Sequence, residues 1–182
     1  DGAKMSKSKG NTVSPDELVR EYGCDSLRLY ELFVGPPEQD AEWDDRGIDG
    51  VYRFIRRLWT MFMENKDSKV KATEEMEKTR HKMIYEITNR LENFSLNTVI
   101  SGFMEYTNKF IDIANKEKGI DKETLETIAI LLAPFAPHIG EELWQQLGHT
   151  DSVFNEKWPE YDEDKMKESK INMPVQVNGK TR

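Results

Sequence analysis

Apolar residues recur at helical spacing through the middle of the chain. From about residue 45, Ile48, Val51, Tyr52, Ile55, Leu58, Trp59 and Phe62 fall on one face of a 3.6-residue period. A second stripe carries Met76, Met83, Ile84, Ile87, Leu91 and Phe94. A third carries Leu96, Val99, Ile100, Phe103, Phe110, Ile111 and Ala114 and ends near Gly119. A fourth starts at Asp121 and passes through Leu125, Ile128, Ala129, Leu131 and Leu132 to Pro134. A fifth starts near Pro137 and runs through Ile139, Leu143, Trp144 and Leu147 to Gly148. Each stripe needs a surface to cover it, and the connectors are short. That combination predicts an antiparallel helix bundle over residues 45–150.

The pattern changes on either side. Residues 1–13 are rich in Lys, Ser and Gly and have no apolar period. Ser14-Pro15-Asp16-Glu17 reads as a helix start: Ser14 can cap, Pro15 suits the first position, and Glu17 can complete a capping box. Gly23 can end that helix with a left-handed backbone. Asp25 or Ser26 is expected to cap the next helix, whose Leu27, Leu29, Tyr30, Leu32 and Phe33 carry the apolar load until Gly35-Pro36-Pro37 stops it. The acidic loop Glu38, Asp40, Glu42, Asp44 and Asp45 matches no calcium-loop spacing. We read it as solvated carboxylates leading into a helix N-terminus. Beyond the bundle, residues 150–170 are polar and turn-rich, with Trp158-Pro159 as an anchor. A strand is expected at 171–177, and Asn178-Gly179 reads as a hairpin turn whose return strand we expect to be missing. With Asp1 at the start, this predicts a piece of a longer chain. The expected division is 1–44, a loop and connecting helical module; 45–150, the bundle; and 151–182, a polar linker and the truncated start of a further domain.

Charge narrows the function classes. Lys and Arg number 26 against 34 Asp and Glu, a net charge of −8. That argues against strong phosphate-driven binding by the chain as a whole, so any nucleic-acid contact must come from local basic patches. The single cysteine, Cys24, rules out an internal disulfide and fits a reduced cytosolic setting. It falls in a helical region, where a small buried thiol is the ordinary reading. No apolar run approaches the roughly 20 residues that a membrane span needs.

Lys4-Met5-Ser6-Lys7-Ser8-Lys9-Gly10-Asn11 is the segment with chemistry in it. It supplies three ammonium groups within six residues, hydroxyls between them, and a glycine for backbone freedom. Such a loop can close over a polyphosphate, where lysine charge offsets the charge gathering on a leaving pyrophosphate. Read alone, its composition favours a flexible tail or a generic basic patch. Its surroundings point further. KMSKS, then Ser14 to Glu17, then Tyr22-Gly23-Cys24-Asp25-Ser26-Leu27-Arg28, resemble the class I aminoacyl-tRNA synthetases from their KMSKS loop onward. Gly35 to Trp43, GPPEQDAEW, resembles the bacterial leucine type in particular; the isoleucine and valine types usually have Leu where Lys9 stands and lack this run. Leu131 to Trp144, LLAPFAPHIGEELW, resembles the end of the helical anticodon-binding domain of the leucine, isoleucine, valine and methionine types. Val175 to Lys180 resembles the start of the leucine type's C-terminal domain.

The resemblance implies a mainly α fold: an antiparallel bundle of the anticodon-binding type, a KMSKS connecting module before it, and a strand fragment after it. It implies that Lys4 and Lys7 bind ATP and stabilise the adenylation transition state, with Lys7 the principal contact and Ser6 and Ser8 secondary. Met5 is expected to pack. The full-length enzyme would use ATP and Mg2+ to join leucine to tRNA(Leu), as a cytoplasmic monomer with no membrane partner. This segment would lack the HIGH half of the nucleotide site, the amino-acid pocket and the editing domain, and would be inactive alone. Arg53, Arg56, Arg57, Lys66 and Lys69, with Lys71, form a basic cluster that can meet tRNA phosphates or simply be solvated; Arg53 and Arg57 share a helix face. In the leucine type the bundle is expected to meet the tRNA body without reading anticodon bases. Two alternatives stay open: an isoleucine, valine or methionine type synthetase, and a non-enzymatic helical interaction module.

Other candidates are weighed as structural. Pro137-His138-Ile139-Gly140 contains HIG, but Glu141 follows, and the triplet lies far beyond the KMSKS loop rather than before it. His81 and His149 have no metal-spaced partners. Glu141 and Glu142 read as dipole-pairing residues of a first helical turn. No metal site is expected in the segment.

Overall fold

The computed structural model of the chain describes residues 3–44 and 46–167, and the backbone of 176–177 and 180–181. Its helices are α1 (Pro15–Tyr22), α2 (Cys24–Phe33), α3 (Gly47–Asn65), α4 (Glu74–Glu92), α5 (Leu96–Glu117), α6 (Lys122–Leu132), α7 (Pro137–Gln146) and the short α8 (Glu163–Met166). The mainly α bundle is therefore observed, with the stripes meeting in one core. Consecutive helices α4 and α5 pack along their length, as do α6 and α7, while α3 lies beside α5. Leu58, Phe62, Ile87, Ile100, Phe110, Leu131 and Leu143 are buried at the centre. On α3 the buried stripe also takes in Phe54 and Met61, whereas Tyr52, Ile55 and Trp59 are only half-buried. The cause is that α3 is covered from several sides, by α2, α5 and α7.

The chain ends depart from expectation. Gln176–Val177 (β1) and Lys180–Thr181 (β2) pair antiparallel, Gln176 opposite Thr181 and Val177 opposite Lys180. The return strand expected to be missing is thus present, because two residues suffice to close so short a ladder. Residues 171–175 and the Asn178-Gly179 turn lie outside the described residues, as does Asp45.

Phe94 also departs. It was placed on the second stripe but is 63% exposed. Helix α4 ends at the residue pair before it. The Ser95 N–H donates to the Arg90 carbonyl at 2.8 Å and the Phe94 N–H to that of Leu91 at 2.9 Å. This is a Schellman stop with Phe94 in its left-handed position, φ 56°. The left-handed backbone turns the ring out to solvent. Glycine is the usual residue there, so the sequence gives little warning.

Two polar features organise the bundle. Arg80 of α4 is only 2% exposed. Its guanidinium donates to Asp121 Oδ2 at 3.2 Å and Thr124 Oγ1 at 3.3 Å, and pairs with Glu123 at 3.1 Å. Asp121 meanwhile caps α6 by accepting the Thr124 N–H at 3.0 Å. One buried arginine therefore ties α4 to the start of α6. The second feature is the strap after the bundle. Trp158 does anchor it, donating Nε1–H to Thr88 Oγ1 at 2.9 Å. Tyr161 meets Tyr85 edge-on, and the Asp162 N–H donates to His81 Nδ1 at 3.1 Å.

Replacing Arg80 by Met leaves the buried Asp121 charge without a cation, although Thr124 still donates to it, and should destabilise the fold by about 3 kcal/mol in urea melts. His81 generates a pH prediction. Burial and the neighbouring Arg80 charge hold its pKa below the ordinary 6.5, and its Nδ1 must stay unprotonated to accept the Asp162 N–H. Its contribution to stability is full above pH 6.5 and is lost as pH falls from there through the folded-state value. The melting temperature should drop between about pH 7.5 and about pH 5.5, and His81→Ala should drop less over the same interval.

Candidate functional site

The KMSKS segment folds as a closed ring. Lys7–Lys9 make a single 3-10 turn, with the Lys9 N–H donating to Ser6 O at 3.1 Å and the Gly10 N–H to Lys7 O at 3.2 Å. Gly10, at φ +64°, takes the left-handed conformation that reverses the chain. Asn11 then shuts the ring: its Oδ1 accepts the Ser6 N–H at 2.9 Å and its Nδ2 donates to Lys4 O at 3.5 Å. The Ser6 and Ser8 hydroxyls lie 3.2 Å apart. Asn11 was not singled out from sequence, although an Asn after Gly has the side-chain-to-backbone chemistry of a turn. Lys4, Lys7 and Lys9 are exposed, and among the described residues no carboxylate lies within ion-pairing distance of them. Met5 does not pack as expected but is 42% exposed, because the ring's hydrogen bonds are internal and leave its side chain outside. The ring presents cations and hydroxyls to whatever approaches, which suits a polyanion.

Behind the ring, α1 starts at Pro15 as expected, but the Ser14 hydroxyl makes no capping bond and the capping box does not form. Gly23 has the expected positive φ, 87°, with ψ 155°, outside the left-handed helical well. Helix α2 therefore starts at once, and Gly23 itself occupies its cap position. Asp25 and Ser26, expected to cap α2, sit inside its first turn. Ser26 donates back to Tyr22 O at 2.8 Å. Asp25 caps a different helix. Its carboxylate accepts the N–H of Ile139 at 2.6 Å and of His138 at 3.4 Å, and lies 2.9 Å from His138 Nδ1. One turn on, Arg28 donates to Phe135 O at 3.2 Å and Pro134 O at 3.1 Å. Thus α2 holds the α6–α7 corner from both sides, with an anion at one helix start and a cation at the other helix end.

This explains the HIG triplet. His138 stands at the start of α7, with its N–H and Nδ1 on the Asp25 carboxylate and most of its side chain exposed. Gly140 is required by close approach: a Cβ there would lie 2.7 Å from Ala133 Cα. Glu141 and Glu142 were expected in the first turn of α7, but that turn contains no acid; its anion comes from Asp25 instead. Glu141 accepts the Ser152 hydroxyl and the Val153 N–H, while Glu142 accepts Gln146 Nε2–H at 2.9 Å. His149 stacks on Trp144 at 3.7 Å and lies 2.6 Å from Glu126 Oε1. Of the acidic loop, Glu38, Asp40, Glu42 and Asp44 are exposed. Asp44 accepts the Arg46 backbone and side-chain N–H groups, which hold its carboxyl below its usual range. The Tyr30 hydroxyl donates to Asp44 O at 2.5 Å, and Trp43 folds edge-on against the Tyr30 ring. Among the described residues no group of three His, Cys, Asp or Glu could hold a metal ion, and no helix is long and apolar enough to cross a membrane.

The basic cluster divides. At about 100° per residue, Arg56 and Arg57 lie about −60° and about 40° from Arg53 around α3, so the three form one ridge. All three are exposed, with no carboxylate partner among the described residues, and Arg56 lies 6.0 Å from the Tyr52 ring centre. Lys66 falls about 220° round and donates to Gln146 Oε1 at 2.9 Å. Lys69 and Lys71 are exposed in the connector that follows. The fold brings the arginines together and turns Lys66 away from them.

Residues 73–182 match the family described as the anticodon-binding domain of tRNA ligase. The chain belongs to this family. Residues 1–44 match the class I tRNA synthetases for I, L, M and V. Among curated relatives, a leucine–tRNA ligase of Pseudothermotoga lettingae is 46% identical over 196 positions, covering 100% of this chain and 24% of the relative. One of Bacteroides thetaiotaomicron is 48% identical, covering 98% and 19%. Among solved structures, a ternary complex of an Agrobacterium radiobacter LeuRS with tRNA and LeuAMS superposes with a TM-score of 0.84 at 32% identity, covering 100% of this chain and 25% of that one. The chain thus spans a quarter or less of the length of these relatives.

Proposed function

We propose that this chain is the KMSKS-loop and tRNA-contacting segment of a leucine–tRNA ligase. The observation that carries the reading is the Asn11-closed ring, which offers Lys4 and Lys7 to a polyanion with no carboxylate of the described chain in competition. In the whole enzyme a leucine carboxylate oxygen bonds to the α-phosphorus of ATP. The bond from that phosphorus to the bridging oxygen breaks, and pyrophosphate leaves with the electron pair. Lys7, assisted by Lys4, stabilises that developing charge, and Ser6 and Ser8 offer hydroxyl donors. A terminal hydroxyl of tRNA(Leu) then attacks the adenylate carbonyl, loses its proton, and expels AMP. The whole enzyme would use magnesium together with ATP.

Arg53, Arg56 and Arg57 would meet phosphates of the tRNA body, which carries the affinity without sequence reading. Lys66 has a weaker claim than Lys69, because its ammonium already serves Gln146. The working division is 1–44 for the loop module, 45–150 for the bundle and 151–182 for the linker and the start of a further domain. The parent would act in the cytoplasm as a monomer, and this segment alone would not charge tRNA.

Two measurements test the reading in the full-length parent. Lys7→Ala should lower leucine-dependent ATP–pyrophosphate exchange by about 100-fold or more; an unchanged rate removes the loop from the chemistry. Replacing Arg53, Arg56 and Arg57 together by Ala should weaken tRNA(Leu) binding and flatten log affinity against log salt by about 2 to 3. An unchanged slope would leave the ridge as a solvated face.

A further inference from the structure

The α2 grip on the α6–α7 corner joins parts of the chain that match different families. Asp25 and Arg28 lie in the segment matched to class I synthetases, and their partners in the anticodon-binding domain. The bonds bridge 106 to 114 residues of sequence. On one side α1 and α2 meet at Gly23 with no intervening linker, and Thr12 to Ser14 join the KMSKS ring to α1. On the other side Ala133 and Gly140 are in backbone contact, leaving the corner no room to shift. Asp25 is 8% exposed, so its charge is held largely out of water by the grip itself.

The two N–H partners are groups that the start of α7 leaves without intrahelical bonds, and the two carbonyls belong to the turn that follows α6. Two N–H groups and two carbonyls are engaged within one short corner. A single hydrogen bond would let α2 pivot. An acid and an arginine one turn apart fix two points along α2, and the two donor groups of Arg28 fix its rotation on the second. Apolar packing of α2 on α3 and α5 sets that it docks; this polar clamp sets the angle at which it docks.

We propose that Asp25 and Arg28 are positioning residues that fix the orientation of the tRNA-binding bundle relative to the KMSKS module, and that transfer of the aminoacyl group to tRNA depends on them more than adenylate formation does. This rests on the function proposed above. Adenylation needs the rest of the nucleotide and amino-acid site, the loop and the small substrates, but no tRNA. Transfer also needs a tRNA held on the bundle to present its end at the adenylate, and a misplacement of about 1 Å costs such a step about 100-fold.

The test uses the full-length parent with Asp25→Asn, Arg28→Met and Arg28→Lys, and with Leu58→Ala as a buried control away from the corner. Pyrophosphate exchange, kcat and KM for tRNA charging, and melting temperature are measured for each. Asp25→Asn and Arg28→Met should lose about 10- to 100-fold in charging kcat, with KM for tRNA and the exchange rate within about twofold of wild type. Arg28→Lys, which keeps the charge but cannot fork to two carbonyls, should recover only part of the loss. The control should lower the melting temperature while keeping the wild-type ratio of charging to exchange. Clamp variants that lose both reactions equally, or keep the wild-type ratio, overturn the proposal. Spin labels at Val19 and Asn108 give a readout that needs no activity: their distance distribution should broaden in Arg28→Met and stay narrow in Leu58→Ala. An unbroadened distribution also overturns it. Should the wild-type parent charge no tRNA(Leu), the proposed function falls, and the label distances alone decide the clamp.

Discussion

Helix ends are where this fold meets its main constraint. Every α-helix leaves N–H groups at its start and carbonyls at its end without partners, and the corner between α6 and α7 brings the free N–H groups of the α7 start beside the carbonyls of the turn that follows α6, partly shielded from solvent. A Cβ at Gly140 would lie 2.7 Å from Ala133 Cα, and Ala136 at the α7 cap position makes no side-chain capping bond. The corner is therefore capped from outside. Asp25 supplies the acceptor and Arg28 the donors, each with the charge that the local helix dipole favours. The close packing of the bundle's last helices depends on a helix about a hundred residues earlier.

The same logic explains which parts were legible in advance. The stripes from Ile48 to Leu147 were readable because burial is a local, periodic property of sequence. The KMSKS segment was readable because its residue types are chemically distinctive. What escaped was pairing at a distance. Asp25 has the composition and spacing of an ordinary N-cap, and nothing local says that it serves His138 and Ile139 instead. Arg80 was overlooked in a polar stretch, yet Asp121, Glu123 and Thr124 make it a core residue. Phe94 was assigned inward by phase alone, since a left-handed stop at a bulky residue breaks the period without a glycine to mark it. Within the loop, the three lysines were evident, but the Asn11 side chain that makes a ring of them was not.

Arginine is used here in three distinct ways, and the difference explains how an acidic chain keeps a basic surface. Arg80 is buried and fully engaged by carboxylates; Arg28 is spent on backbone carbonyls; Arg53, Arg56 and Arg57 are exposed with no acid opposite them among the described residues. The net charge of −8 averages over these. The acids cluster instead where dipoles or lysines hold them, as at Asp44 and at Glu75 with Lys116. A phosphate approaching the arginines of α3 meets three guanidinium groups flanked on the same face by the exposed Asp49 and Glu64, while the molecule's long-range field repels it.

The ring at Lys4 to Asn11 carries that argument to the chemistry. A loop whose cations were paired within the chain would have to break ion pairs before touching a ligand, and that cost would subtract from transition-state binding. Here the hydrogen bonds that order the loop use backbone groups, Asn11 and the serines, and leave the ammonium groups out. Order and charge are separated onto different atoms. The loop can keep its shape while its lysines remain available to charge that develops only during reaction, which is the condition for binding a transition state more tightly than a ground state.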